Sequence, residues 1–315
     1  MTDKIEQSEL VVENMSNQRF DQVANELFPD FSRSRLQTWI KSGLLTIDGR
    51  PGKSKQKLFG GETLQLCVDL EPEGEWVAED IPIEIIYEDD AIMVVNKPVG
   101  LVVHPAAGNR TGTLLNGLLH HNPELIHVPR AGIVHRLDKD TSGLMVVAKT
   151  LAAHTNLVTQ LQARTVSREY EAVAVGVMTG GGRVAADIGR HPRQRTKMAV
   201  LDFGGKEAIT HYRVLERFEY HTHVRLKLET GRTHQIRVHM AHIGYPLVGD
   251  ATYAGRFRIP KGASVELIEE LRGFARQALH AAQLGLNHPV SGEYIQWSVD
   301  LPDDMVRLLS EVAQG

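Results

Sequence analysis

The chain has 315 residues, of which 42% are hydrophobic and 23% charged, and its formal net charge is -4. This composition excludes a largely disordered chain, and the length suggests one large domain with a smaller one. The sequence has no apolar run of about eighteen residues, and its start, MTDKIEQSEL, lacks the basic and apolar segments of a signal peptide. We therefore expect a cytoplasmic protein that makes no contact with a membrane.

The single cysteine, Cys67, limits the chemistry that the chain can support. It cannot form an internal disulfide, and it cannot supply a cysteine-rich zinc cluster. Because it lies in an apolar, strand-like segment, we expect a small buried side chain.

Charge is distributed unevenly. Basic residues predominate between Arg19 and Lys57, whereas the segment from Asp69 to Asp90 has many acidic residues and no basic one. The first part of that acidic segment, residues 69–80, predicts a linker. A second basic cluster has no apolar periodicity and predicts a loop that faces phosphates, with a solvated surface loop as the alternative. Its members are Arg190, Arg193, Arg195 and Lys197.

The first predicted elements are two helices. Apolar residues at helical spacing begin at Phe20, and the pattern stops before Pro29. Ser32 or Ser34 can cap a second helix, which ends at Gly43. Two helices of this length bury one apolar face each.

A hairpin follows the helices. A strand with Leu45 and Ile47 leads into the turn signal Asp48-Gly49, and the segment from Thr63 to Val68 alternates as a returning strand. The basic residues of this unit are expected on its surface. They are Arg33, Arg35, Lys41, Arg50, Lys53, Lys55 and Lys57.

The motifs Ser-Arg-Ser-Arg, Lys-Ser-Gly and Asp-Gly-Arg occur in this order within the unit. With them, residues 1–68 resemble the small RNA-binding domain named after ribosomal small-subunit protein four, with a core at about residues 18–66. The resemblance implies that the basic face binds RNA.

Residues 81–315 predict a mixed α+β domain with a mainly antiparallel sheet and flanking helices. Ile92–Val95, Leu144–Ala148 and Ala172–Val175 are continuous apolar strands, and helices begin near Leu151 and Thr233. The phosphate-binding patterns GxGxxG and GxxxxGK[ST] are absent, so dinucleotide and nucleoside triphosphate chemistry are not expected.

The segment from Gly132 to Gly143 is a polar loop directly before a buried strand, which exposes side chains from a rigid base. Asp138 and Asp140 stand among basic residues, so they can remain ionised and act as a nucleophile or base. From composition alone, a surface turn rich in Asp, Ser, Thr and Gly is the competing interpretation.

His-Arg-Leu-Asp followed by Asp-Thr-Ser-Gly resembles the signature loop of the RluA family of RNA pseudouridine synthases, with Asp138 at the position of the catalytic aspartate. Further segments match in the family's order, so the resemblance spans nearly the whole chain. They are Asn96-Lys97-Pro98, Val103-His104-Pro105, Arg168-Glu169-Tyr170 and the segment from Thr230 to His239. The resemblance implies that Tyr170 is an active-site tyrosine, that Arg237 pairs with Asp138, and that Arg136 contacts RNA.

The implied reaction detaches uracil from ribose, turns it and rejoins it through carbon 5. Because nothing enters or leaves overall, we expect neither a cofactor nor a metal. Asp138 could attack the ring, attack the ribose or remove a ribose proton, and the sequence does not distinguish these routes. Tyr170 offers a ring to stack on uracil and a hydroxyl that can assist proton removal.

The N-terminal unit and the phrase Val-Pro-Arg-Ala-Gly-Ile-Val at residues 128–134 resemble the branch of the family that modifies helix 69 of 23S ribosomal RNA. We therefore expect ribosomal RNA, within large-subunit precursors, as the partner. Other 23S positions and transfer RNA remain alternatives, and no protein partner can be inferred.

Two other classes of function compete with this one. A zinc hydrolase would use His234, His239 and His242 with Asp250, although the chain lacks the H-E-x-x-H pattern. A non-catalytic RNA-binding factor for ribosome assembly would keep the basic unit and could dispense with the aspartate.

Overall fold

The computed structural model describes residues 4–31, 33–69, 76–105, 110–194, 196–257 and 259–315. Ser32, Arg195 and residues 70–75 of the predicted acidic linker lie outside these ranges. The strands are β1 (Lys4–Leu10), β2 (Leu45–Ile47), β3 (Arg50–Pro51), β4 (Thr63–Asp69), β5 (Glu84–Glu88), β6 (Ile92–Lys97), β7 (Ser142–Ala148), β8 (Ser167–Val175), β9 (Gly182–Ala185), β10 (Ile188–Arg190), β11 (Met198–Val200), β12 (Ile209–Arg217), β13 (His221–Leu228), β14 (Leu279–Asn287) and β15 (Tyr294–Ser298). The helices are α1 (Phe20–Leu27), α2 (Arg33–Ser42), α3 (Leu114–His121), α4 (Leu151–Gln162), α5 (Gln235–His242), α6 (Val265–Gly273) and α7 (Asp303–Gln314).

The N-terminal part contains α1, α2 and an antiparallel four-stranded sheet in the order β1-β4-β2-β3. Phe20, Leu36 and Leu64 are fully buried in a core that these elements share. The predicted helices and hairpin are confirmed. Strand β1 was not predicted, because its sequence KIEQSEL is mostly polar and it pairs along the edge of the sheet.

Cys67 corrects one expectation. It lies in β4 as predicted, but its side chain is exposed. Successive side chains of a strand point to opposite faces of the sheet. Since Leu64, Leu66 and Val68 take the buried face, Cys67 must take the solvent face.

The rest of the chain is built around a nine-stranded sheet with the order β5-β6-β7-β14-β8-β13-β12-β9, and β15 pairs with β14. All pairs are antiparallel except β7 with β14. The predicted mixed, mainly antiparallel fold is therefore confirmed. Residues of β6 divide between two cores: Met93 and Val95 face one, Ile92 and Val94 the other. Burial on both faces explains why these strands are continuously apolar in sequence.

Glycines fix both ends of the loop that precedes β7. Gly132 has a φ of +79°, and a Cβ added there would lie 1.9 Å from the carbonyl oxygen of Ala148. Gly143 has a φ of +112°, and its Cβ would lie 2.3 Å from the carbonyl oxygen of Ala281. Only glycine permits such close approach of two backbones at positive φ. The loop is thereby held against β7 and β14.

Helix α4 contacts the N-terminal part through a hydrogen bond and through apolar packing. The Thr155 hydroxyl of α4 donates to the carbonyl oxygen of Asp30 at 3.0 Å, and Leu151 packs against the N-terminal core. Trp76, within the predicted linker, packs instead against the core of the larger part. None of the helices described is long and apolar enough to cross a bilayer.

Candidate active site

A cavity of about 350 Å³ opens beside the loop before β7. Its wall comes from that loop, from β8, and from the segment leading into α5, and it includes Asp138, Tyr170 and Arg237. This volume falls within the range of about 300–1,000 Å³ common for small-molecule sites. The structure thus brings together the three predicted catalytic residues, which are far apart in sequence.

Asp138 and Arg237 form an ion pair in the cavity wall. Arg237 Nη1 donates to Asp138 Oδ2 at 2.9 Å, and the Asp138 side chain is 18% exposed. Its other oxygen, Oδ1, lies 3.8 Å from Nε2 of His234. The carboxylate is therefore fixed on one side by a buried guanidinium and remains reachable from the cavity.

A second carboxylate, that of Asp250, binds the nitrogens of Arg237 that do not contact Asp138. Asp250 accepts from Arg237 Nε at 2.7 Å and from Nη2 at 2.9 Å, and both residues are buried. Burial by itself would lower the pKa of Arg237, but the hydrogen bonds and charges of Asp250 and Asp138 outweigh it and raise that pKa. The arginine is thus permanently charged and points one N–H group at Asp138.

Lys97 anchors the backbone of the Asp138 loop. It is fully buried, and its Nζ donates to the carbonyl oxygens of Pro98 at 2.7 Å, Leu101 at 3.0 Å and Lys139 at 3.0 Å. Burial lowers the pKa of this amine to about 8, although the carboxylates of Asp140 and Asp138 favour its charged form. The Asn-Lys-Pro segment therefore positions the loop without touching the cavity.

The start of α5 is locked by the side chain of Gln235. Its Oε1 accepts from the Thr230 hydroxyl and from the Arg232 backbone N–H, while its Nε2 donates to Ile209 and Thr210. His234, just before the helix, has a left-handed backbone with φ of +57°. This turn places Arg237, on the first turn of α5, against the aspartate.

Tyr253 contacts both His234 and Arg237. Its hydroxyl lies 2.7 Å from His234 Nδ1, and its ring centroid lies 5.0 Å from the Arg237 guanidinium carbon. Burial lowers the pKa of His234, and the negative charge of Asp138 opposes this effect. The histidine therefore faces Asp138 with its orientation set by a tyrosine.

Tyr170 is buried in β8 and lines the cavity. Burial raises the pKa of its phenol, the charge of Arg168 opposes this, and that of Asp138 adds to it. The hydroxyl is therefore protonated at neutral pH. An apolar ring ending in a hydroxyl can stack on a planar ligand and exchange a proton with it.

Proteins of a known family are similar to this chain in sequence. Residues 91–242 match the model of the family described as RNA pseudouridylate synthase. A protein of Pseudomonas aeruginosa named ribosomal large subunit pseudouridine synthase D is 60% identical, over 100% of this chain and 98% of its own length. A protein of Yersinia pestis with the same name is 56% identical over 98% and 95%.

The chain belongs to the RNA pseudouridylate synthase family. It is accordingly an RNA pseudouridine synthase, as the signature loop predicted. The solved structure of human RNA pseudouridylate synthase domain containing 4 agrees with this fold. It is 27% identical, has a TM-score of 0.55, and the match covers 73% of this chain and 92% of that one.

In this synthase Arg136 is exposed at the edge of the cavity. It makes no ion pair with any residue that the structure describes, so the alternative role of a structural salt bridge finds no support. An exposed arginine beside the cavity is available to contact RNA.

The basic residues of the N-terminal part have different environments. Lys41, Lys53, Lys55 and Lys57 are exposed. Arg33 is held by Asp21 at 2.9 Å, and the Arg35 guanidinium carbon lies 5.5 Å from the Trp39 ring centroid. Lys57 Nζ donates to Asn17 Oδ1 at 2.7 Å, so Lys41, Lys53 and Lys55 are the freer candidates for phosphate contacts.

The second basic cluster lies at the connection between β10 and β11. Arg190 is the last residue of β10, and Arg193 and Lys197 lie in the loop that follows, so the predicted loop is present. Arg190 and Arg193 are exposed, and Arg195 lies outside the described residues. Lys197 Nζ donates to the carbonyl oxygen of Thr252 at 2.8 Å, and the Met198 backbone N–H donates to the Tyr253 hydroxyl. The hairpin is thus tied to the segment that supports Arg237.

The residues of the competing zinc-hydrolase interpretation do not form a cluster among the described residues. No three His, Cys, Asp or Glu side chains in the described part of the chain are close enough to bind a metal ion. Both ring nitrogens of His239 are engaged, with Thr210 and with the carbonyl oxygen of Ala186. Asp250 binds Arg237, and His242 is exposed, so this set of residues forms no metal site.

Sequence reasoning missed the supporting residues of the site. Asp250 was considered only as a zinc ligand, Lys97 only as part of a motif, and Tyr253 not at all. Asp250 follows Gly249 in a turn-like segment, and Asp beside Gly is common in turns. Nothing local marks it as the partner of an arginine on another element.

Proposed function

We propose that this synthase converts uridines to pseudouridine in large-subunit ribosomal RNA, specifically in helix 69 of 23S rRNA. One observation carries the chemical part: Asp138 Oδ2 is held at 2.9 Å by the buried Arg237 in the wall of a cavity that Tyr170 also lines. The names of the relatives, which specify the ribosomal large subunit, support the substrate class.

In the proposed reaction the bond between ribose C1′ and uracil N1 breaks and a bond between C1′ and C5 forms. The proton on C5 leaves and N1 gains one, so atoms and charge balance without a cofactor. Asp138 is the essential carboxylate, attacking the ring or the ribose or removing a ribose proton. Arg237 keeps it oriented, and Tyr170 stacks on the detached uracil and assists the loss of the C5 proton.

A base must leave its helical stack to reach this cavity, which favours loops and deformable stems. Arg136, exposed at the cavity edge, fills the vacated position in the RNA. Ribosomal RNA is more accessible before the subunit is fully assembled, so large-subunit precursors in the cytoplasm are the proposed substrate.

Residues 1–68 act as an RNA-binding domain of the ribosomal protein S-four type, residues 69–80 as linker, and residues 81–315 as the catalytic domain. Two helices on a small sheet with their own core support this division. The exposed lysines, together with Arg190, Arg193, Arg195 and Lys197, supply phosphate contacts that add affinity without reading sequence.

A 23S rRNA transcript labelled with tritium at C5 of uridine tests the proposal. Isomerisation releases that tritium, because C5 gains the ribose bond. We expect release to continue in EDTA and to leave the chain length of the RNA unchanged. A zinc hydrolase would shorten the RNA, would stop doing so in EDTA and would release no tritium from C5. A binding factor would neither shorten the RNA nor release tritium. Either result would reject the proposed chemistry.

A further inference from the structure

The cavity wall contains a second buried arginine, Arg168. It lies on β8 two residues before Tyr170, so the two side chains share one face of the strand. Arg168 is 7% exposed and lines the cavity together with Asp138 and Tyr170. In the sequence it is the first residue of the Arg-Glu-Tyr segment.

The guanidinium of Arg168 has few partners. Its Nη2 donates to the carbonyl oxygen of Glu229 at 3.4 Å, a long contact, and its buried Nε has no hydrogen-bond partner. No carboxylate pairs with it among the residues that the structure describes. The buried arginines Arg237 and Arg276 differ, because each binds an aspartate through two nitrogens.

A buried cation without a counter-ion is unfavourable in a folded protein. Burial lowers the pKa of Arg168, with only Tyr170 opposing, yet a guanidinium remains charged at physiological pH. The fold therefore keeps an uncompensated positive charge and an unused N–H donor in the wall of the substrate cavity. Such an arrangement is expected where an anionic ligand completes the site.

We propose that Arg168 is a phosphate-binding residue of the cavity, which takes the backbone phosphate next to the extruded uridine. The proposal rests on the proposed function and adds a subsite to it. Uracil enters the cavity as a neutral ring, whereas a backbone phosphate is an anion from the moment of binding. The phosphate therefore compensates the charge in the bound ground state, and its oxygens match the two-pronged geometry of a guanidinium.

Gly231 leaves the space that this guanidinium occupies. A Cβ added to Gly231 would lie 2.8 Å from Arg168 Nη1, and the backbone of Gly231 is not at positive φ. An alanine there would displace the flexible end of Arg168 at little cost to the fold. Gly231→Ala is therefore a second variant that moves the charge without removing it.

Three variants of the full chain test the proposal: Arg168→Met, Gly231→Ala and Arg307→Met. Arg307 lies on α7, pairs with Glu270 and is largely exposed, so its replacement controls for the loss of one positive charge. Thermal unfolding, RNA affinity from 50 to 200 mM salt, and tritium release at saturating RNA are measured with the 23S rRNA transcript.

For Arg168→Met we expect an unfolding temperature equal to or above that of the wild type, because a buried charge is removed. RNA affinity should fall roughly 10- to 100-fold, the worth of a charge-assisted hydrogen bond. The slope of log affinity against log salt should decrease by about 0.7–0.9, the value of one phosphate contact. The rate of Arg168→Met at saturating RNA should stay within several-fold of the wild-type rate. Gly231→Ala should also bind RNA more weakly than the wild type. Arg307→Met should match the wild type in all three measurements.

Three outcomes would overturn the proposal. A marked drop in unfolding temperature would make Arg168 a structural residue. Unchanged affinity and salt slope would exclude a phosphate contact. A lost rate with unchanged affinity would place the charge on the reacting ring instead. If the proposed function is wrong, the wild type will release no tritium. The unfolding and binding measurements would still decide the role of Arg168, so the two failures can be told apart.

Discussion

Asp250 binds Arg237 through both carboxylate oxygens, at 2.7 Å to Nε and 2.9 Å to Nη2, and leaves Nη1 free for Asp138. Asp250 is itself fixed by the backbone N–H groups of Thr252 at 2.9 Å and Tyr253 at 3.1 Å. The position of the proposed catalytic carboxylate is therefore set by a chain of contacts that ends in the backbone of a neighbouring turn.

At the reactive end, Asp138→Asn should lower tritium release by roughly 100- to 10,000-fold or more, because it removes the charge and keeps the volume. Unfolding temperature and RNA affinity should remain close to those of the wild type. Asp140→Asn, in the same loop but outside the matched catalytic position, is the control and should retain most of the activity. Activity of Asp138→Asn near that of the control would disprove the site assignment.

At the supporting end, Asp250→Asn should lower the rate at saturating RNA and also the unfolding temperature. The amide of the variant offers one oxygen acceptor, whereas both carboxylate oxygens of Asp250 bind Arg237, so the buried guanidinium loses part of its charge compensation. Removal of one partner of a buried ion pair lowers the free energy of unfolding by about 3–5 kcal/mol.

Arg237→Met should also lower the rate severely, because Asp138 loses its partner.

The matched control is Asp304→Asn, which breaks a similar two-pronged pair with Arg276, at 2.6 and 2.7 Å. It should lower stability and leave the rate nearly unchanged. If Asp250→Asn behaves like Asp304→Asn, then Asp250 is structural only and does not position the catalytic pair.

The parts of the fold that were predictable from sequence are those with a local signal. Helix α1 follows from apolar spacing that stops before Pro29, and β7 follows from a continuous apolar run. The Asp138 loop was recognised because its residues are contiguous. Strand β1 was missed, since a polar strand at a sheet edge has no apolar pattern to detect.

The residues of the candidate site were also predictable only where a local sequence motif marks them. Asp138, Tyr170 and Arg237 were found because each lies within a recognisable motif. The contact of Asp250 with Arg237 exists only because the turn after Gly249 packs against α5, and the unpaired charge of Arg168 becomes visible only when every neighbouring carboxylate has been located. Pairing and burial are tertiary properties, and one sequence does not specify them locally.

The N-terminal lysines should contribute affinity without contributing to catalysis. Lys53 and Lys55 are exposed, and replacing both with alanine should weaken binding of the 23S rRNA transcript and reduce its salt slope by about 0.7–0.9 per lost phosphate contact. The rate at saturating RNA should stay the same. Lys261→Ala together with Lys206→Ala, outside the N-terminal part, controls for net charge, and an equal effect in that pair would show general attraction rather than a docking surface.

The choice of helix 69 is tested in cells that lack this gene. A docking unit that holds phosphates and a separate cavity that receives one base together select a uridine by its place in a folded RNA. We expect the deletion strain to lose a cluster of pseudouridines in the helix 69 loop of 23S rRNA, mapped by carbodiimide labelling and reverse transcription. The wild-type gene should restore them, and the Asp138→Asn gene, expressed at the same level, should not. Intact helix 69 modification, with loss at other positions of ribosomal or transfer RNA, would reject this target while leaving the proposed chemistry in place, because the same cavity and the same aspartate would then act on a different loop.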